Sequence, residues 1–420
     1  MIYRIRSILK SNTFIYFIMT LISSALNYLF QIYLGKIMLV SDYGSFNSIN
    51  SFCTNMACVF VPVSVYLCRE IARKNGDLVE ANPELFDALV FTFFIFISLI
   101  IILGVAFGFG YSRRFDASNI EIFIILIIIT TGLVNITSGI FQGANRFITI
   151  GIITLFLAII KLCVTTIAFI SVNNLFVPIV ATLTSNVIVA TVAIILLIKQ
   201  VGGHATIRKF KPKNIMKKFV ALYSATFLIN AIISPYINGG EIIIMSGKYN
   251  MEDVGVYSLG ITIARASIFI ISMLSTVMLP KIANAKSKAN DMRGIYFESI
   301  GVSFAIGVAW VLFIKFFAIY IIPYILGEAY YNALQNIKYM ALWVINLGVL
   351  IMVNTYYLAI NELKKYLIVI STVSVILYIV LKLCNIYFWY IPIILGCAAA
   401  IIIAWSIYDV LKCEIVKKEY

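Results

Sequence analysis

The chain has 420 residues, a formal net charge of +14 and a mean hydropathy of +1.02, with 62% of its residues apolar and 12% charged. A soluble domain carries about 25% charged residues, so this composition excludes a soluble enzyme, a disordered chain and a nucleic-acid-binding domain, and it leaves an all-α polytopic membrane protein. The positive charge then reads as the Lys and Arg bias of cytoplasmic loops, not as a footprint for nucleic acid.

Twelve apolar runs follow one another: roughly 12–34, 46–68, 86–110, 119–142, 150–172, 176–198, 218–246, 254–279, 295–322, 333–358, 366–389 and 391–411. Each is long enough to cross a bilayer as a helix, the spanning form expected at this length because lipid cannot solvate bare backbone. The first run ends in Gly35-Lys36 without a small-residue cleavage site, so it is expected to stay as a span. If the N-terminus is cytoplasmic, 23 Lys and Arg fall in inside segments and 4 (Lys36, Arg113, Arg114 and Lys248) in outside loops. That split predicts that both termini face the cytoplasm. The outside loops are too short to form a catalytic domain. The longest polar segment, residues 199–217, is basic and suits a cytoplasmic linker near anionic lipid. It divides the chain into an N-terminal six-helix lobe (1–198) and a C-terminal six-helix lobe (218–420).

The two halves resemble each other at an offset of 211. Asp42-Tyr43-Gly44-Ser45-Phe46 aligns with Asp253-Val254-Gly255-Val256-Tyr257, Ile71-Ala72 with Ile282-Ala283, and Ser23 and Asn27 with Ser234 and Asn238. Six spans per half is an even number, so the copies are parallel repeats about an axis along the membrane normal. Transporters built this way hold substrate near the repeat interface.

Polar residues recur on single helix faces. Span 1 carries Tyr16, Thr20, Ser23, Asn27 and Gln31, and span 7 carries Asn230, Ser234, Asn238 and Glu241. Span 2 adds Asn47, Ser51 and Thr54, and span 8 adds Ser258, Thr262 and Arg265. Steps of three and four put each set on one face. Such faces point away from lipid, either to bond neighbouring helices or to line a wet cavity. Deep charge is mostly positive: Lys161 in mid-span 5, Arg265 in span 8 and Lys382 in span 11, against Glu241 as the deepest acid. A charge at the bilayer centre costs at least ~2.5–3.5 kcal/mol and is a functional signal. This balance suits an anionic substrate such as a diphosphate, unless a Lys161–Glu241 salt bridge neutralises both. Lys315 and Lys338 are within snorkelling reach of the outer interface. Pro235 followed by Gly239-Gly240 marks span 7 as a bending element. His204 is the only histidine, the seven cysteines lack metal-ligand or disulfide spacing, and no G-x-x-x-x-G-K-[ST] loop occurs. No cofactor is expected.

Several segments together resemble the Wzx-type polysaccharide flippases of the multidrug/oligosaccharidyl-lipid/polysaccharide exporter superfamily. They are LVSDYGSFNSINSF after span 1, REIARKNGD after span 2, GIFQGANRF at the end of span 4, DVGVYSLGITIA opening span 8, LPKIANAKSK after it and ILGEAYYNALQNIKYMA before span 10. The resemblance implies two six-helix lobes around a V-shaped cavity. It also implies movement of an undecaprenyl-diphosphate-linked oligosaccharide, such as an O-antigen repeat unit, between leaflets by alternating access, with a polysaccharide polymerase and a chain-length regulator as partners. Basic cavity residues hold the diphosphate in such proteins. The matching candidates are Arg265 and Lys161, with Arg146 and Lys36 near the rims and the Asn, Ser, Thr and Gln stripes with Lys382 lining the cavity. No bond is made or broken, so the protein is not an enzyme on this reading. Cation-coupled drug exporters of the superfamily tend to carry an acid in span 1, where this chain has none. A membrane polysaccharide polymerase would present a larger outside loop.

Overall fold

The computed structural model describes residues 12–108, 120–172, 174–201, 226–287, 292–326, 330, 333, 337–360, 362–383 and 387–418. Arg113, Arg114, His204, Cys384 and linker residues 202–217 lie outside the described residues, as do the side chains of Lys382 and Cys413.

Among the described residues every extended element is a helix: α1 (Asn12–Ile37), α2 (Val40–Met56), a 3-10 turn (Ala57–Phe60), α3 (Val61–Arg73), α4 (Asn82–Gly108), α5 (Glu121–Gly143), α6 (Phe147–Ser171) and α7 (Phe176–Val201). After the linker come α8 (Thr226–Ile237), α9 (Gly240–Ser246), α10 (Met251–Ala264), α11 (Ala266–Ser287), α12 (Met292–Leu326), α13 (Lys338–Ile360), α14 (Leu363–Leu383) and α15 (Ile391–Lys418). Among the described residues, ten helices are long and apolar enough to cross a membrane, or twelve if the bent pairs α8–α9 and α10–α11 each count as one span. Those twelve match the twelve apolar runs one for one. Large apolar side chains such as Phe93, Ile102, Ile167 and Ile170 are exposed, as a bilayer-facing surface requires.

Two compact units form. The first takes residues 1–231 and 242–255, and the second takes 232–241 and 256–420. The boundary thus runs through spans 7 and 8, whereas residues 199–217 are where the sequence expectation divides the lobes. In the first unit α1 packs along α6, α3 on α5, and α7 on both α5 and α6. In the second, α11 packs on α13, α13 on α15 and α14 on α15, while Tyr236 of α8 shares a hydrogen bond with Ser374 of α14. Advancing each pair of the first unit by six spans gives a pair of the second, so the internal repeat holds in three dimensions.

Small residues set the closest approaches. A Cβ on Gly139 of α5 would lie 2.7 Å from the Ser64 carbonyl oxygen of α3, and one on Gly143 would lie 2.6 Å from the Cys68 oxygen. In the second unit α13 is the central, almost fully buried span, carrying the fully buried Trp343 against α15.

Candidate functional site

Lys161 sits on α6 where that helix runs parallel to α1. Tyr16 meets Phe147 near one end of the pair and Tyr33 meets Phe169 near the other. Between them Ser23 donates its Oγ–H to the Thr154 oxygen at 2.8 Å. Lys161 is 8% exposed, and its Nζ lies 4.2 Å from the centroid of the Phe30 ring. No carboxylate forms an ion pair with it among the described residues. The Phe30 face gives the ammonium a cation–π contact but no neutralising charge.

Arg146 and Lys36 stand at opposite ends of this helix pair. Arg146 is exposed immediately before α6, and Lys36 is exposed in the last turn of α1. Fifteen residues of helix separate Arg146 from Lys161, which is roughly 22 Å at 1.5 Å per residue. The three cations are therefore strung along the α1–α6 pair and cannot hold one diphosphate together.

The second unit builds a different arrangement. Span 7 bends by 69° between α8 and α9, where Gly239 takes φ 74 and Gly240 lies against Pro235. This is the bend expected from Pro235 and the glycine pair. Span 8 bends by 52° between α10 and α11, with Arg265 at the break. The two bends bring Arg265 to Glu241. Arg265 donates from Nη2 to Glu241 Oε1 at 2.5 Å and to the Tyr236 carbonyl at 3.4 Å, and its guanidinium lies 5.9 Å from the Trp343 ring. Glu241 is buried, at 1% side-chain exposure, and Arg265 is part-buried, at 14%. Glu241 Oε2, Arg265 Nε, Ser258 Oγ and Trp343 Nε1 are buried without a hydrogen-bond partner among the described residues. The Lys161–Glu241 salt bridge raised by the sequence is thus replaced by an Arg265–Glu241 pair.

The polar stripes mostly bond within their own helices. Asn27 donates to the Ser23 oxygen, Asn47 to Tyr43, Thr54 to Asn50, Asn230 to Thr226 and Thr262 to Ser258, each four residues back. Asn238 donates to Ser234 Oγ, so the Ser-x-x-x-Asn motif is internally bonded in both repeats. Gln31 accepts from the Tyr43 hydroxyl at 3.3 Å. This back-bonding lets Asn, Ser and Thr sit in a span without exposing bare polar groups to lipid. Lys382 falls on α14, and Lys315 and Lys338 are exposed. Sequence reasoning missed Phe30, Tyr236 and Trp343, because an aromatic residue in an apolar run carries no signal of the cation it faces.

The family model for "Polysaccharide biosynthesis protein" matches residues 9–286, about two thirds of the chain. The chain belongs to the polysaccharide biosynthesis protein family. No curated protein matches the sequence. Among solved structures it is similar to an inward-facing multidrug resistance MATE family transporter of the MOP superfamily, with TM-score 0.71 and 16% identity over 93% of this chain and 95% of that one. An outward-facing MATE family transporter gives TM-score 0.68 and 16% identity over 97% and 98%. A MOP superfamily transporter from Pyrococcus furiosus, whose binding pocket is described as of reverse polarity, gives TM-score 0.68 and 18% identity over 95% of each chain. This member of the polysaccharide biosynthesis family therefore has the fold of the MOP superfamily transporters, as the sequence motifs implied.

Proposed function

We propose that the protein is a flippase that carries a polyprenyl-diphosphate-linked oligosaccharide from the cytoplasmic to the periplasmic leaflet of the inner membrane by alternating access, with both termini in the cytoplasm. The observation that carries this reading is Lys161, a buried cation in mid-span with no carboxylate to neutralise it among the described residues. Such a charge is costly in lipid and is repaid when an anion arrives. Arg146 and Lys36 at the two ends of the α1–α6 pair supply a receiving and a releasing cation on either side of Lys161. The diphosphate thus meets positive charge in succession. Arg265 is held by Glu241 and contributes no free charge in this state. Asn, Ser and Tyr hydroxyl and amide groups bond sugar hydroxyls, the prenyl tail stays in lipid, and no bond is made or broken. The periplasmic product passes to a polysaccharide polymerase and its chain-length regulator.

The test uses a flippase-null strain complemented with Lys161→Ala or Lys161→Arg at normal protein levels. Loss of surface polysaccharide with Ala, together with single repeat units accumulating on the inner leaflet, and retention with Arg are expected. Full export by Lys161→Ala refutes the reading.

A second reading is a cation-coupled drug exporter, favoured by Glu241, a buried carboxylate with one oxygen unpartnered among the described residues, on a fold shared with MATE transporters. Ethidium efflux that is lost in Glu241→Gln and unaffected by Lys161→Ala would establish it. The Pyrococcus furiosus neighbour, described as having a pocket of reverse polarity, is in keeping with a fold that accommodates either sign of charge.

A further inference from the structure

The interior of the second unit carries buried polar atoms that nothing bonds among the described residues. They include Glu241 Oε2, Arg265 Nε, Trp343 Nε1, Ser303 Oγ, Asn354 Oδ1 and Tyr366 Oη. Buried polar groups are nearly always bonded, to protein or to ordered water. Open donors and acceptors gathered inside one unit therefore point to water held within it. They form a column. Trp343, Asn354 and Tyr357 follow at steps of eleven and three along α13, which puts them on one face of that buried span. Ser303 of α12 meets the same helix between them, since a Cβ on Gly348 would lie 3.1 Å from its Oγ. Tyr236, its ring 5.9 Å from Trp343, reaches across with its hydroxyl to Ser374 of α14.

A carboxylate stands at each end of the column. At the Trp343 end it is Glu241. At the other end Asp409 of α15, 19% exposed, accepts from the Tyr357 hydroxyl at 3.0 Å, and its second oxygen lies 3.9 Å from Nζ of the exposed Lys365. Fourteen residues separate Trp343 from Tyr357, roughly 21 Å of helix. Tyr357 stacks on the fully buried Tyr366 at 4.5 Å, and the buried Tyr296 shares a hydrogen bond of 2.7 Å with Ser406. Among the described residues Asp409 faces Tyr357 from α13, Lys365 from α14 and Tyr296 from α12, and Glu241 faces Arg265 and Tyr257. The acid belongs to the second repeat alone, because the offset of 211 puts Phe30 at the place of Glu241.

We infer that this column is a hydrated proton path inside the second unit, with Asp409 as its mouth on the side of the cytoplasmic loops and Glu241 as its terminus. A proton from Asp409 passes by the tyrosine hydroxyls and their waters to Glu241 Oε2, and Asp409 takes a replacement from the cytoplasm. Neutral Glu241 gives up its hold on Arg265, which keeps its own proton, so the pair gains one positive charge. The use of that charge rests on the transport reading, since it offers the diphosphate a further cation; the path itself can be tested without substrate.

X-ray radiolysis turns trapped water into hydroxyl radicals that mark the side chains beside it. In nanodiscs Tyr366 should be marked at least tenfold more than Tyr43, which is equally buried in the first unit but bonded to Gln31. Equal marking overturns the water column. Infrared difference spectra after an acid jump test the proton's route, with the carboxyl band that Glu241→Gln removes assigned to Glu241. Asp409→Asn and Tyr366→Phe, both close in shape to the parent, should slow the rise of that band at least tenfold and leave its final height unchanged, whereas Asp87→Asn in the first unit should leave both unchanged. Parent rates in Asp409→Asn and Tyr366→Phe, or the lack of any band removed by Glu241→Gln, overturn the path. Glu241→Gln, which stands in for the neutral acid, should bind undecaprenyl diphosphate at least tenfold more tightly than the parent, and adding Arg265→Gln should abolish the gain. If the two path variants slow the band but Glu241→Gln binds no more tightly, the path stands and the use of Arg265 in transport is refuted.

Discussion

Removing either half of the Glu241–Arg265 pair should harm the fold more than removing both. The carboxylate is 1% exposed and the guanidinium 14%, so each single substitution strands a buried or part-buried charge. Stranding one partner of a buried pair costs about 3–5 kcal/mol, whereas replacing both with apolar groups of similar volume is near neutral or mildly stabilising. At about 2.1 cal/mol/K per residue, 420 residues give an unfolding entropy of roughly 0.9 kcal/mol/K. Glu241→Leu and Arg265→Met should then each lower Tm by about 3–6 °C. Helices that survive in the detergent micelle reduce the entropy of the transition and enlarge the shift. The double variant should return to within about 2 °C of the parent. The assay is thermal unfolding of the four purified proteins in one detergent, followed by tryptophan fluorescence and by aggregation. Losses that simply add in the double variant would show that the two charges are not coupled, and single losses below about 1 °C would show that neither is stranded.

Lys161→Met should raise Tm by about 1–3 °C while abolishing export, because it removes a mid-span charge costing ~2.5–3.5 kcal/mol and gives up a cation–π contact of about 0.5–2 kcal/mol; a lower Tm would mean the ammonium is stabilised by something other than Phe30. Gly139→Ala should cost about 1–3 kcal/mol by pressing a methyl into the Ser64 backbone, whereas Gly104→Ala, in open space, should be neutral or gain about 0.5–1 kcal/mol. Equal effects of the two, compared by thermal unfolding, would contradict the close α3–α5 approach.

Much of the architecture was legible because lipid enforces it. Run length and composition read out the twelve spans, since a segment that must satisfy its own backbone inside hydrocarbon has almost no alternative to a helix. The bend in span 7 was also legible, because Pro235 and Gly239-Gly240 are local causes. The repeat was readable from Asp42-x-Gly44 and Asp253-x-Gly255.

The sequence by itself determined which residues are buried in the membrane and which of them are charged. Only the tertiary structure decided which charges are free. A straight hairpin places Glu241, five residues before the end of α9, opposite the first turns of α10, whereas Arg265 lies fourteen residues beyond the start of that helix. At 1.5 Å per residue the two would be separated by roughly 14 Å in depth. Two bends, of 69° and 52°, close that gap and give Arg265 its carboxylate. Lys161, on an unbroken helix facing Phe30, receives none among the described residues. Pairing depends on the direction of each helix after its break, and no periodicity in a one-dimensional string encodes that direction.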